Sequence, residues 1–216
     1  MRYLLLPLLV VGALTLRAWA DDPPAGIVME ISGDTDPPLA AMGEIPANTS
    51  IQLKPGAKLT FLHYARCKLV TVTGGTLTVT RADYRDEGSA PTETDGPCPR
   101  VYALTDSGGE GHSAGGLVSR GIAPPPHWSA SPEIIFTGAR ATRVAAASIL
   151  FEGQPTHAPV EFAMAGRRAH EPQGAPPLQP DGHYKLRLTI RDQRDPIDIP
   201  FTVTSGLDSL VVLRID

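Results

Sequence analysis

Val70-Thr71-Val72-Thr73-Gly74-Gly75-Thr76-Leu77-Thr78-Val79-Thr80 holds two runs in which apolar and threonine side chains alternate, split by a glycine pair. Alternation with period two marks a strand with one face turned inward, and threonine and valine both suit a pleated surface. Gly-Gly accepts the positive φ angles of a tight turn, so the stretch predicts a hairpin. With a two-residue turn, Val72 lies opposite Leu77 and Val70 opposite Val79 on one face. Thr71 then meets Thr78, and Thr73 meets Thr76, on the other.

Working outward, the flanking sequence carries the same signals. Gly26 to Ser32 reads as a strand, Ser50 to Lys54 as a short one before a Lys54-Pro55-Gly56 turn, and Lys58 to Tyr64 as another. Asp83 to Arg100 is acidic and rich in turn residues, a surface excursion, after which Val101 to Leu104 returns as a strand. In the last third, Glu133 to Thr137, Arg143 to Glu152, His183 to Ile190, Ile197 to Thr204 and Leu210 to Ile215 read as strands. Ala145-Ala146-Ala147 is equally able to start a helix. His183 to Ile190 alternates cleanly, with Tyr184, Leu186, Leu188 and Ile190 on one face. Asp192 to Pro196 makes the turn that follows.

The 216 residues include 21 glycines and 22 prolines, about a fifth of the chain, which implies many short elements joined by turns. Asp106 to Ser131, with Gly108-Gly109, Gly115-Gly116 and Pro124-Pro125-Pro126, has linker chemistry. The fold expected is mainly β. It comprises a signal peptide (1–20), an N-terminal β domain with hairpins (21–105), a Gly/Pro-rich linker (106–131) and a C-terminal antiparallel β-sandwich-like domain (132–216).

The address comes from the N-terminus. Met1-Arg2, the apolar run Tyr3 to Leu16 and Ala18-Trp19-Ala20 have the form of a cleavable leader, leaving Asp21 first. The run falls short of the roughly 18 residues a membrane-crossing helix needs, so no stable membrane insertion is expected after cleavage. The leader holds two arginines and no acid, so the remainder carries 17 basic against 23 acidic side chains, a net charge of −6. That sign argues against nucleic acid and anionic membrane surfaces as partners. A periplasmic or secreted location permits disulfides, and the two cysteines, Cys67 and Cys98, are expected to form one. The competing reading is a reactive Cys67 thiol beside His63, Arg66 and Lys68.

Chemical motifs are sparse. Gly111-His112-Ser113-Ala114-Gly115 matches the G-x-S-x-G elbow of serine hydrolases, but no strand enters it and no helix leaves it. His63, His112, His127, His157, His170 and His183 lack zinc-ligand spacing. Asp192, Asp195 and Asp198, or Asp34 and Asp36, suit turns as well as calcium. Asn48-Thr49-Ser50 fits a glycosylation acceptor, and Thr71, Thr73, Thr76, Thr78 and Thr80 resemble the threonine ladders of ice-binding proteins, though threonine is simply favoured on exposed strands. No catalytic residue, metal ligand or cofactor is assigned.

Pro46 to Val79, with Leu53-Lys54-Pro55-Gly56-Ala57-Lys58-Leu59-Thr60-Phe61-Leu62 and the glycine-split run, resembles the periplasmic β domain of FecR-like proteins in its rhythm of strand and turn. The resemblance covers Gly26 to about Thr80 and implies a domain that senses a partner. It departs in having a cleavable leader where those regulators have a cytoplasmic anti-sigma segment and a membrane helix. The expectation is an exported, non-enzymatic binding or scaffolding module of the bacterial cell envelope that contacts a protein or glycan. His63, Tyr64 and Arg66 are its candidate contact residues. The alternative is a secreted hydrolase using Ser113 or loop carboxylates.

Overall fold

The structure, a computed structural model, describes residues 24–88, 90–104, 125–153 and 156–216. The expected leader, most of the Gly/Pro-rich stretch, and with it Ser113, lie outside the described residues. The chain is mainly β. No helix among the described residues is long and apolar enough to cross a membrane.

The first seven strands are β1 (Pro24–Ser32), β2 (Thr35–Asp36), β3 (Glu44–Pro46), β4 (Thr49–His63), β5 (Lys68–Val79), β6 (Tyr84–Asp86) and β7 (Thr92–Asp95). They form one sheet in the order β3-β1-β4-β5-β6, with β2 also beside β4 and β7 beside β5. Its spine is the antiparallel β4–β5 hairpin, closed at Tyr64 to Cys67, where the Cys67 N–H donates to the His63 carbonyl over 2.9 Å.

The hairpin expected within Val70 to Thr80 is therefore corrected. Val72 pairs with Leu59 and Val70 with Phe61, while Leu77 pairs with Ile51 and Val79 with Thr49. Gly74 and Gly75 do adopt positive φ, 63° and 82°, but they bend one continuous strand. The Lys54-Pro55-Gly56 turn is likewise a bulge inside β4: register jumps from Leu53↔Gly75 to Lys58↔Thr73. A glycine pair shifts the inward phase by one residue whether the chain reverses or only bends, so the alternation looks the same in both cases. The bend lets both arms of the hairpin close over one core, with Ile51, Leu53, Leu59, Phe61, Val70, Val72, Leu77 and Val79 inside.

Gly75 is tied to that bend twice. Its φ is left-handed, and a Cβ built there would stand 2.6 Å from the Gly88 Cα. Gly75→Ala is expected to cost about 1–3 kcal/mol, since both strain and backbone overlap must be relieved. Urea unfolding measures this, and a change below about 0.5 kcal/mol would show that the bend adapts freely.

The remaining strands are β8 (Arg100–Leu104), β9 (His127–Trp128), β10 (Glu133–Thr137), β11 (Val144–Phe151), β12 (Val160–Glu161), β13 (Ala163–Ala165), β14 (Arg168–His170), β15 (His183–Ile190), β16 (Ile197–Val203) and β17 (Leu210–Ile215). They make two five-stranded sheets, β13-β14-β10-β17-β8 and β12-β11-β15-β16-β9. Ile134, Phe136, Val211 and Leu213 of the first and Ile149, Leu186, Leu188 and Phe201 of the second share one core, as in a sandwich. The Ala145-Ala146-Ala147 run belongs to β11, preceded by a 3₁₀ turn at Ala141–Arg143.

Alongside its antiparallel pairs, the sandwich holds three parallel ones: β10 with β17, β17 with β8, and β16 with β9. The first two arise because β17 leaves the β15–β16 hairpin and crosses to the opposite sheet. Parallel neighbours need such long connections. β8, on the N-terminal side of the Gly/Pro-rich stretch, is thereby an outer strand of the sandwich.

A third apolar cluster joins the two parts. Ile27 and Leu62 of the N-terminal sheet meet Ile135 and Leu210 of the sandwich, with Met29, Met42, Tyr64 and Leu69 packed around them. In β1, β4 and β10 the chain is therefore buried on both faces, and Ile27-Val28, Phe61-Leu62 and Ile134-Ile135-Phe136 read as unbroken apolar runs where alternation fails.

Candidate functional site

The residues around the disulfide turn come first, because the sequence placed candidate contacts there. His63, the last residue of β4, is wholly buried. Its Nδ1 accepts the Arg66 backbone N–H at 3.3 Å, so the ring proton sits on Nε2 and is donated to the Thr80 carbonyl at 3.1 Å. Tyr64 packs into the cluster between the two parts, and its hydroxyl is buried with no hydrogen-bond partner among the described residues. That burial, and secondarily the Glu44 carboxylate, hold its ionisation far above the ordinary phenol range.

Arg66 carries its charge to the surface, and two carboxylates occupy it. Its guanidinium lies 2.6 Å from Asp83 and 3.2 Å from Glu93, with its carbon 5.4 Å from the Tyr84 ring centre. The Tyr84 hydroxyl donates to Glu93 in turn. The Tyr84 backbone N–H and the Arg66 guanidinium together hold the Asp83 carboxyl below its usual range. His63, Tyr64 and Arg66 thus point to three environments: a core, a seam and a charged surface network. The expected bridge is present, with Cys67 joined to Cys98, and the Cys98 N–H donates to Asp208 Oδ2 at 2.8 Å. The turn between β4 and β5 is thereby stapled to the segment entering β8.

A different constellation lies at one end of the sandwich. Phe151 ends β11, and Tyr184 lies opposite it near the start of β15, so pairing register alone places the two rings 5.5 Å apart at an edge-on angle. His157, in the following loop, folds back to 5.1 Å from the Phe151 ring. His183, Glu152 and the Pro176-Pro177 segment complete a cavity of about 270 Å³. The Gln179 backbone N–H donates to the Tyr184 hydroxyl at 2.8 Å, fixing the loop over the ring. Glu152 is held 3.0 Å from Lys185.

The cavity therefore offers the partly exposed Phe151 ring, with Tyr184 buried edge-on behind it, beside a carboxylate and two imidazoles. Ligand pockets have this composition, with apolar walls for area and a few polar groups for orientation. Sugar rings match it well: their C–H faces lie against aromatic rings, and their hydroxyls need donors and acceptors at the rim. The sequence had shown His157 and His183 only as scattered histidines, and Phe151 and Tyr184 only as strand residues.

The other candidates are separate from it. His127 shares its Nδ1 with the hydroxyls of Thr202 and Thr204, at 2.8 and 3.1 Å. Asp198 is locked to Arg187 by two 2.7 Å hydrogen bonds, and that guanidinium chiefly keeps its carboxyl below the usual range. Among the described residues no three His, Cys, Asp or Glu side chains converge to hold a metal ion.

No family model matches the chain, and no curated protein or solved structure shows significant similarity to it.

Proposed function

We propose that the protein is an exported, non-enzymatic binding module of the bacterial cell envelope that holds a glycan at the Phe151–His157–Tyr184 pocket. The observation that carries this reading is the pairing of clustered aromatic rings with hydrogen-bonding groups in one cavity at the loop end of a sandwich. Strands fix the rings while loops supply the polar rim, an arrangement suited to recognition. The leader-like start and the Cys67–Cys98 bridge support export.

The test is calorimetric titration of the leader-free chain with chitotetraose and cellotetraose. Binding of either is expected, and Phe151→Ala, checked for its fold by thermal melting, is expected to weaken it about tenfold, the equivalent of roughly 1.4 kcal/mol of lost ring contact. Failure of both sugars to bind, or binding indifferent to Phe151→Ala, would remove the pocket as the site. Appearance of shortened sugar would favour the hydrolase reading instead.

A further inference from the structure

The geometry points to a second binding site, a groove between the N-terminal sheet and the sandwich that takes an acidic glycan through its carboxylate or phosphate groups. The groove encloses about 500 Å³. Met42 and Ala41 of the loop before β3 form one wall. The β13–β14 turn forms another, and the residue after β15 forms a third.

Three arginines, Arg167, Arg168 and Arg191, line the groove, and among the described residues no acidic side chain does. In a chain with net charge −4, such a cluster is not a reflection of composition. Each arginine stands differently. Arg167 donates to the Met42 carbonyl at 3.2 Å, which holds one guanidinium across the junction between the two parts. Arg168 is 2.9 Å from Glu133, yet its Nε is buried and has no hydrogen-bond partner among the described residues. Arg191 is exposed, and no carboxylate among the described residues lies within ion-pair distance of its side chain.

The groove thus keeps the exposed Arg191 guanidinium without an acidic partner among the described residues, beside two arginines that each hold one protein contact. A planar guanidinium matches two oxygens of one carboxylate or phosphate at once, and gains most where water is partly excluded. Apolar Met42, Val144 and Ala165 between the arginines give a sugar-sized surface on which the rest of a ligand can lie. The turn residue Gly166 adopts φ of 62°, and a Cβ there would meet nothing within 4 Å, so the mouth is open beside it.

This site is independent of the aromatic pocket. Val144 opens β11 at the groove and Phe151 ends it at the pocket, so the two lie roughly 25 Å apart along one strand. A chain holding both ligands has two separate handles on envelope polymers.

Titration of the leader-free protein with tetragalacturonate, glucose 6-phosphate, inorganic phosphate and the neutral maltotetraose tests the proposal. Either acidic sugar is expected to bind, with affinity falling as salt is raised. Arg191→Glu is expected to weaken that binding at least tenfold. Arg168→Gln provides a second variant, and melting curves of both confirm the fold. Tetragalacturonate alone would identify a carboxylated polymer, and glucose 6-phosphate alone a phosphorylated one. The proposal is overturned if maltotetraose binds as well as the acidic sugars, if inorganic phosphate binds as tightly as they do, if none binds, or if both variants bind like the parent.

Discussion

Replacing Cys67 and Cys98 together with serine is expected to lower the unfolding free energy by about 3–4 kcal/mol, a drop of about 10 °C in melting temperature. The bridge closes a loop across a sequence separation of 31 residues, and the disorder it removes from the unfolded chain sets that magnitude. The loss falls where little else compensates. β7, inside the closed loop, exposes all four of its side chains and depends on pairing with β5 and on surface ion pairs. Cys98 lies just before β8, which has already crossed into the sandwich beside β17. The bridge therefore restrains the N-terminal sheet against the C-terminal core. Melting the oxidised protein, the reduced protein and the double-serine variant side by side measures the effect. Three coincident curves would mean that the loop is ordered without its staple.

Trp128→Ala is expected to cost about 3–5 kcal/mol, the range for emptying a large aromatic site in a core. Trp128 is wholly buried and stacks on Phe201 with ring centres 4.2 Å apart, while Tyr102 approaches from the opposite sheet at 6.3 Å. It belongs to a strand of two residues, too short to hold its place by backbone pairing with β16 alone. Its indole N–H has no hydrogen-bond partner among the described residues, so truncation removes packing without orphaning an acceptor there. Trp128→Phe should recover about half of the loss. Urea unfolding of the two variants provides the comparison, and a cost below about 1 kcal/mol for alanine would show that the core refills around the gap.

Strand existence was legible both from alternation, where one face alone is buried, and from short bounded apolar runs, where both are. β15 alternates because Tyr184, Leu186, Leu188 and Ile190 enter the core while Lys185, Arg187 and Thr189 do not, and β10 and β17 are bounded where their apolar runs stop. Partnership was not legible. Nothing local tells Val70 to Val79 to pair with β4 rather than with itself, because a bend and a reversal at Gly74-Gly75 leave the same pattern. Nor does anything local send β17 across to the other sheet, a choice made by the fit of whole faces.

The candidate contacts show the same limit. His63 and Tyr64 have polar atoms and end the expected Lys58 to Tyr64 strand, so they read as exposed. Tertiary packing buries His63 because both of its ring nitrogens find backbone partners there. The aromatic pocket draws on Phe151, His157, Pro176 and Tyr184, which share no spacing and meet only through pairing register and loop return.

The outer margin of the N-terminal sheet has a bearing on how the molecule behaves in a crowd of its own copies. β7 is a brief strand of Thr92, Glu93, Thr94 and Asp95, without one apolar side chain, and its acids are already claimed by Arg66 and Lys68. A second molecule laying its own β7 alongside would set like charges together and gain no oily contact in return. Fibre growth by strand addition is thus discouraged at this rim.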